Sequence, residues 1–341
     1  MASHPPRPPY DPELAAVHGY FPQRGPLTKA QFLAWRKDPA ALMLPTAEHV
    51  LSKRPLTHAE HKVPGFLPSD PEVTISVFTP SSPAAESGPR PCLYFMHGGG
   101  LAIGDRFTGV YEALDWVTGA DCVFVTVEYR LAPEHVQPAL LHDCYAGLAW
   151  VHAHAAELGV DPARVMVGGH SGGACMAAGL AMMARDLGGN GEGKGLPLCG
   201  QLLASPMLDN RNETTSTRQY AAEEPWLRAS NATAWAAALG QEELAGGAQA
   251  EAPVDGRFVP GRAEDLAGLP PTWVDVGSAD VFRDEAVEFA SKVWAAGGEA
   301  ELRVWAGCYH GFELIAPKAR PSAEAVRGRN EWVKHIFGRK A

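Results

Sequence analysis

Residues 169–173 read Gly169-His170-Ser171-Gly172-Gly173, a G-x-S-x-G pentapeptide whose flanks predict the fold around it. The short apolar run 165–167 before it is typical of a buried strand, and the Ala-, Leu- and Met-rich run 174–185 after it predicts a helix. Ser171 would therefore lie on a sharp strand-to-helix turn, where the residues two before and two after it must be small. Free N–H groups at the helix N-terminus favour negative charge there, so Ser171 is a candidate nucleophile for acyl transfer.

A second glycine loop offers hydrogen-bond donors for such a reaction. His97-Gly98-Gly99-Gly100 follows the apolar run 92–96, which we interpret as a strand. A glycine loop in this position can direct backbone N–H groups at a developing oxyanion with no side chain in the way. We predict an oxyanion hole formed by the N–H groups of Gly98, Gly99 and Gly172.

Candidates for the acid and the base follow two further strand-like runs. Asp280 comes shortly after the apolar run 273–276, and His310 comes shortly after 302–305. The carboxyl ends of parallel strands share one edge of an open sheet, so these loops can converge on Ser171. We predict a catalytic triad in which His310 is the base and Asp280 orients it.

Two other acids and two other histidines compete for these roles. Asp275 lies within a predicted strand and Asp284 begins a predicted helix, so neither points as naturally into a cleft as Asp280 does. His97 is expected to brace its own loop, and His170 is the neighbour of the nucleophile.

Taken together, the motifs resemble those of the hormone-sensitive-lipase-like esterases, a family with the α/β-hydrolase fold. That family carries H-G-G-G, D-Y-R-L-A-P-E, G-D-S-A-G-G, an Asp before an L-R-D-like segment, and H-G-F. The corresponding segments here are, in the same order, His97–Gly100, Glu128–Glu134, Gly169–Ala174, Asp280–Asp284 and His310–Phe312. The resemblance covers about residues 70 to 337 and implies an esterase with no cofactor.

The chain departs from the family pattern at three places. Glu128 replaces an aspartate, and Gly172-Gly173-Ala174 replaces Ala-Gly-Gly, which leaves the N–H donor of Gly172 intact. His170 replaces the aspartate beside the nucleophile and brings a second imidazole to the site. It either tunes the choice of substrate or fills space, and we favour the second interpretation.

Alternating strand-like and helix-like runs predict an α/β protein with a mostly parallel sheet flanked by helices on both faces. The stretch 206–268 breaks the alternation, and an insertion this long is usually functional. The expected organisation is a disordered tail at 1–10, an N-terminal cap segment at 11–60, a catalytic domain at 61–205 and 269–341, and a cap insertion at 206–268. Trp35, Trp226 and Trp235 are the large apolar side chains available in the cap to bind substrate.

Composition excludes several classes of partner. The 341-residue chain has a net charge of -10, which disfavours nucleic acid and anionic membranes, and it has no apolar run long enough to span a bilayer. Its first residues do not resemble a secretory signal, so we expect a cytoplasmic protein with six free cysteines. No set of residues suggests a metal site. Whether the protein forms a homodimer is left open.

We therefore expect a serine carboxylesterase that hydrolyses short- to medium-chain acyl esters of small molecules. A lactonase or an amidase could use the same triad. A non-catalytic small-ligand receptor is a further alternative, because the plant gibberellin receptors resemble this family but lack the catalytic histidine. His310 stands in its motif here, which favours catalysis.

Overall fold

A mixed sheet forms the centre of the molecule in the computed structural model, which describes residues 5–18, 25–37, 46–52, 54–82, 88–187, 195–220, 225–241 and 254–339. Within these ranges the sheet has eight strands in the order β1-β2-β4-β3-β5-β6-β7-β8. The strands are β1 Leu56–Val63, β2 Val73–Pro80, β3 Arg90–Met96, β4 Val123–Glu128, β5 Val160–His170, β6 Gly200–Ala204, β7 Thr272–Gly277 and β8 Ala300–Trp305. The pairs β1–β2 and β2–β4 are antiparallel and the others are parallel, as the sequence predicted.

Each strand-like run in the sequence lies in or largely overlaps an observed strand. β1 was not predicted, because its sequence Leu-Thr-His-Ala-Glu-His-Lys-Val is mostly polar and only Val63 is buried. It is an edge strand, and an edge strand does not need the apolar composition of a strand covered on both faces. The boundary predicted at residue 60 falls inside β1, so the sheet begins earlier than the sequence indicated.

Helices cover both faces of the sheet. They are α1 Pro12–His18, α2 Lys29–Arg36, α3 Ala47–Leu51, α4 Val110–Trp116, α5 Ala139–Ala153, α6 Ala155–Leu158, α7 Gly172–Leu187, α8 Thr215–Gln219, α9 Arg228–Leu239, α10 Arg283–Ala295, α11 Phe312–Ile315 and α12 Arg320–Gly338. Alternate residues of β3 point to opposite faces. Tyr94 packs in the core that contains α5, α7 and α10, whereas Leu93 and Phe95 pack with α4 and α12.

The two predicted cap segments contact each other. The rings of Phe32 in α2 and Trp226 are stacked, with their centroids 6.3 Å apart. The N–H of Leu27 donates to Ser230 Oγ of α9 over 2.9 Å. Parts of both segments, 19–24, 38–45, 53, 221–224 and 242–253, lie outside the described residues.

The end of the predicted N-terminal tail contacts the loop before His310, and residues 1–4 lie outside the described residues. Tyr10 meets the ring of Tyr309 edge-on at 5.8 Å, and the N–H of Asp11 donates to the carbonyl of Gly307 over 3.0 Å.

Within the part of the chain that the structure describes, no helix has the length and apolar character needed to cross a bilayer.

Candidate active site

The turn that carries Ser171 joins β5 directly to α7. Ser171 has φ +58°, in the left-handed region that a non-glycine residue seldom adopts. A Cβ at Gly169 would overlap the carbonyl of Gly173, and a Cβ at Gly173 would overlap the carbonyl of Met96. Both glycines are therefore required by close backbone packing, as the pentapeptide predicted.

The three predicted triad residues form a continuous hydrogen-bonded chain. His310 Nε2 is 3.0 Å from Ser171 Oγ, and His310 Nδ1 is 3.0 Å from Asp280 Oδ2. The second carboxylate oxygen of Asp280 accepts from the N–H of Phe282 over 2.9 Å, which holds the carboxylate in place. In the tautomer that donates from Nδ1 to Asp280, His310 can accept the serine proton at Nε2.

The competing acids are bound elsewhere. Asp275 is fully buried and pairs with Arg329 at 2.9 Å, while its Oδ2 also accepts from the indole of Trp305. Asp284 accepts from the N–H of Ser216 over 2.7 Å and pairs with Arg283. Both carboxylates thus hold structural contacts.

His97 braces its own loop, as expected. Its ring stacks on Tyr129 at 4.3 Å, and its Nδ1 is 2.7 Å from the carbonyl oxygen of Gly98. Burial lowers the pKa of His97, so the ring is neutral near pH 7 and can donate a hydrogen bond to that carbonyl.

The glycine loop lies next to the start of α7. A Cβ at Gly172 would be 2.8 Å from the N of Leu101 and 3.0 Å from the N of Gly100. Gly172 is the first residue of α7, so its N–H has no acceptor within the helix. Gly99 adopts φ +116°, a conformation that favours glycine, and Gly98 lies beside Ser171 in the same cavity wall. Gly98, Gly99 and Gly172, the three residues predicted to form the oxyanion hole, thus lie around the turn that carries Ser171.

A cavity of about 260 Å³ opens at this point, with Ser171, His310 and the loop Gly98–Gly100 in its wall. Trp35 and Trp226 line it, as predicted. Trp235 does not: it is fully buried in the main core. Nine of the twelve residues of α9 are buried, so its sequence gave no sign of which side faces the cavity.

Three polar groups beside the triad were missed or left unexplained by the sequence. Glu313 lies in the cavity wall and is 97% buried, with Oε1 2.6 Å from Arg329 Nη1 and 3.7 Å from His170 Nε2. Burial acts to raise the pKa of Glu313, but the interactions with Arg329, His170 and the Glu313 backbone N–H together outweigh it and lower the pKa to about 2. Arg329, deep in α12, gave no signal because nothing in its local pattern marks it as buried.

His170 is the third of these polar groups, and its Nε2 is the atom that lies 3.7 Å from Glu313 Oε1. Its ring centroid is 5.5 Å from that of His310, and burial lowers its pKa to about 4. The ring is therefore neutral at pH 7 and adds no positive charge beside the imidazole of His310.

The cysteines and the metal-binding side chains were the other groups to locate in the described part of the chain. All six cysteines are free, and burial raises the pKa of Cys175 and Cys308, which disfavours their thiolates. No three His, Cys, Asp or Glu side chains among the described residues are close enough to share a metal ion.

Comparison with known proteins agrees with this geometry. Residues 93–314 match the model of a family with the alpha/beta hydrolase fold. The chain is 33% identical over 271 residues to the esterase LipI of Mycobacterium tuberculosis, covering 76% of each protein. It is 35% identical over 254 residues to the carboxylesterase NlhH of the same species, covering 69% of this chain and 70% of that one.

Solved structures give the same result. A bacterial heroin esterase superposes with a TM-score of 0.84 at 35% identity, covering 97% of this chain and 98% of that one. The esterase LipW from Mycobacterium marinum superposes with a TM-score of 0.81 at 31% identity, covering 98% and 99%.

The chain belongs to the α/β-hydrolase family, in its hormone-sensitive-lipase-like branch. Within that family it is an esterase of the carboxylic ester hydrolase class.

Proposed function

We propose that this esterase hydrolyses short- to medium-chain acyl esters through an acyl-enzyme intermediate on Ser171. The observation that carries the proposal is the chain of two 3.0 Å contacts from Asp280 through His310 to Ser171 Oγ, at the wall of a cavity. A serine, a base and an orienting acid in this geometry are what covalent acyl transfer requires.

In the first half of the reaction, Ser171 Oγ attacks the ester carbonyl while His310 Nε2 takes the hydroxyl proton. The carbonyl oxygen becomes an oxyanion, which the N–H groups of Gly98, Gly99 and Gly172 stabilise. The tetrahedral intermediate then expels the alcohol, which receives its proton from His310. Asp280 stabilises the imidazolium throughout and stays ionised.

In the second half, a water molecule takes the place of the alcohol. His310 accepts a proton from the water as its oxygen attacks the acyl carbon, and the same N–H groups stabilise the second oxyanion. Return of the proton to Ser171 Oγ releases the carboxylic acid and restores the enzyme.

The limit on acyl length is supported by the walls of the cavity. Trp35, Trp226 and other apolar side chains line it, and the described cap segments pack over it. Each added methylene gains about 0.8 kcal/mol of binding until such a pocket is full, after which longer chains are rejected.

An acyl-length series tests this proposal. Nitrophenyl esters from the acetate to the laurate should show kcat/KM climbing over the first few carbons and then falling, and Ser171→Ala should abolish turnover of all of them. A flat profile, or a maximum at the longest ester, would contradict the chain-length part alone. Lactones and anilides measured in parallel test the lactonase and amidase alternatives, which use the same residues.

A further inference from the structure

The segment that follows β4 lies against the glycine loop that follows β3. The two strands are parallel neighbours in the sheet, with Phe95 opposite Thr126, so the chain leaves both of them at the same edge. His97 begins the glycine loop, and Tyr129 begins the neighbouring segment. Residues 128–134 correspond to a motif of the family, yet no step of the proposed mechanism uses a side chain from them.

Tyr129 is buried against the first residue of the loop. Its hydroxyl donates to the carbonyl of His97 over 2.7 Å, and its ring stacks on the imidazole of His97 with the centroids 4.3 Å apart. Burial raises the pKa of Tyr129 well above its usual value, so the hydroxyl keeps its proton and remains a donor. Tyr129 thus fixes both the backbone and the side chain of His97.

The side chain of His97 in turn binds the next peptide group of the loop. Its Nδ1 is 2.7 Å from the carbonyl oxygen of Gly98, and because a carbonyl can only accept, Nδ1 carries the proton. The stack on Tyr129 sets the plane of the imidazole in which Nδ1 reaches this carbonyl. The following carbonyl, that of Gly99, accepts from N–H groups further along the loop. Side chains therefore bind the first two carbonyls of the loop, and its own backbone binds the third.

A bound carbonyl fixes the N–H group at the other end of the same peptide unit. The peptide bonds after His97 and Gly98 are trans, so each N–H points away from its carbonyl. The hydroxyl of Tyr129 thus orients the N–H of Gly98. The imidazole of His97 orients the N–H of Gly99 in the same way. Neither N–H has an acceptor among the described residues, and free donors held in place are what a developing oxyanion requires.

The far end of the loop is held independently of Tyr129. The N–H of Ala132 donates to the carbonyl of Leu101 over 3.0 Å. Arg36 of α2 donates to the carbonyls of Ala102 and Ala132 and so joins the two segments a second time. Loss of the Tyr129 hydroxyl should therefore release the first two peptide groups of the loop and leave the rest of it in place.

We propose that Tyr129 is a positioning residue for ester hydrolysis, which holds the N–H groups of Gly98 and Gly99 in the orientation that binds the oxyanion. The inference rests on the proposed function and adds to it a residue that lies outside the cavity wall. The oxyanion forms only when Ser171 attacks, so loss of the hydroxyl should slow the reaction and leave the binding of the uncharged ester unchanged.

Tyr129→Phe tests the proposal, because it removes the hydroxyl and keeps the stacked ring. We expect kcat/KM for nitrophenyl acetate to fall on the order of 10- to 100-fold, somewhat less than the loss of a whole oxyanion donor costs. The matched control is Tyr94→Phe: Tyr94 is also buried, and its hydroxyl donates over 3.0 Å to the carbonyl of Cys144 in α5. Tyr94→Phe should cost similar stability in a denaturant titration and keep nearly the wild-type kcat/KM. Equal losses of kcat/KM in the two variants would overturn the inference.

A pair of inhibitors separates positioning of the donors from a change in the substrate pocket. A trifluoromethyl alkyl ketone forms a bond between its carbonyl carbon and Ser171 Oγ, the serine proton passes to His310, and the carbonyl oxygen becomes the oxyanion. The alcohol obtained by reducing this ketone has no carbonyl and forms no such adduct. In Tyr129→Phe the inhibition constant of the ketone should rise on the order of 10- to 100-fold, and that of the alcohol should not change. A rise by the same factor for both would overturn the inference.

His97→Phe tests the same restraint without changing Tyr129. It keeps an aromatic ring in the stack and removes the donor to the carbonyl of Gly98. The ketone should again lose affinity while the alcohol does not. An unchanged affinity for the ketone would contradict the orientation of the loop by these side chains and overturn the inference.

Ser171→Ala distinguishes this inference from the proposed function. If it abolishes hydrolysis of nitrophenyl acetate while Tyr129→Phe behaves as Tyr94→Phe does, the inference is overturned and the proposed function stands. Hydrolysis that persists in Ser171→Ala would overturn the proposed function, and with it the inference that rests on it.

Discussion

At the carboxyl edge of the sheet, Ser171, Asp280 and His310 each follow a strand by a few residues, and each loop is short. The cap, in contrast, is joined by contacts between distant segments: Leu27 donates to Ser230 across 203 positions of sequence. Strand ends in a parallel sheet are positioned by regular backbone hydrogen bonds, whereas the cap is positioned by side-chain packing and by single hydrogen bonds between distant segments. We therefore expect chemistry to depend on the sheet edge and substrate preference to depend on the cap.

The largest effect should come from the nucleophile. Ser171→Ala should reduce ester hydrolysis by ~10^4-fold or more, because the members of a triad act as a unit. Steady-state rates and labelling with an organophosphonate measure this together. Labelling that persists in the variant would show that another residue is the nucleophile.

The next largest effect distinguishes the acids at the sheet edge. Asp280→Asn should lower kcat on the order of 10^3- to 10^4-fold by leaving His310 in the wrong tautomer. Asp284→Asn, the matched control four residues later, should cost less than about 10-fold, since its carboxylate binds Ser216 and Arg283. If Asp284→Asn had the larger effect, Asp284 and not Asp280 would be the acid that orients His310.

A third prediction concerns stability at the sheet edge. The pKa of His170 is about 4 in the folded protein and near 6.5 in the unfolded chain, so the unfolded state binds more protons between these values. The part of the unfolding free energy that depends on neutral His170 is therefore complete above about pH 6.5, and it is lost as the pH falls toward about 4. When the pH is lowered from about 7.5 to about 5, the titration of His170 should reduce the unfolding free energy by about 2 kcal/mol.

Denaturant titrations at the two pH values measure that loss. In His170→Gln the loss of unfolding free energy between the two pH values should be smaller by about 2 kcal/mol, because the glutamine does not titrate. His49→Gln, at an exposed position on α3, should keep the wild-type dependence. An unchanged dependence in His170→Gln would show that another group causes the acid sensitivity.

The smallest effect should appear in the cap. Trp226→Ala enlarges the cavity, so the best acyl chain should become longer and the ratio of kcat/KM for long over short esters should rise about 10-fold. Trp294→Ala, an exposed position on α10, should leave the profile unchanged. If both variants kept the wild-type profile, the cap would not define the acyl site.

The comparison also explains which parts of the site could be predicted. The glycines around Ser171 are required by backbone overlap within a few residues, so a pentapeptide is enough to indicate the turn. Trp35 and Trp226 could be named only as large apolar residues of the cap, and Trp235 was named wrongly for the same reason. β1 was missed because an edge strand carries little apolar periodicity.

The sequence by itself determined the parallel sheet, the strand-to-helix turn at Ser171 and the order of the residues proposed for the triad. Each depends on local patterns: apolar runs, glycines at fixed offsets and polar residues at strand ends. Only the tertiary structure decided that Arg329 pairs with both Asp275 of β7 and Glu313 in the cavity wall. Asp275 lies 54 positions from Arg329 in sequence, and the burial of all three groups depends on which neighbours the folded chain brings to them.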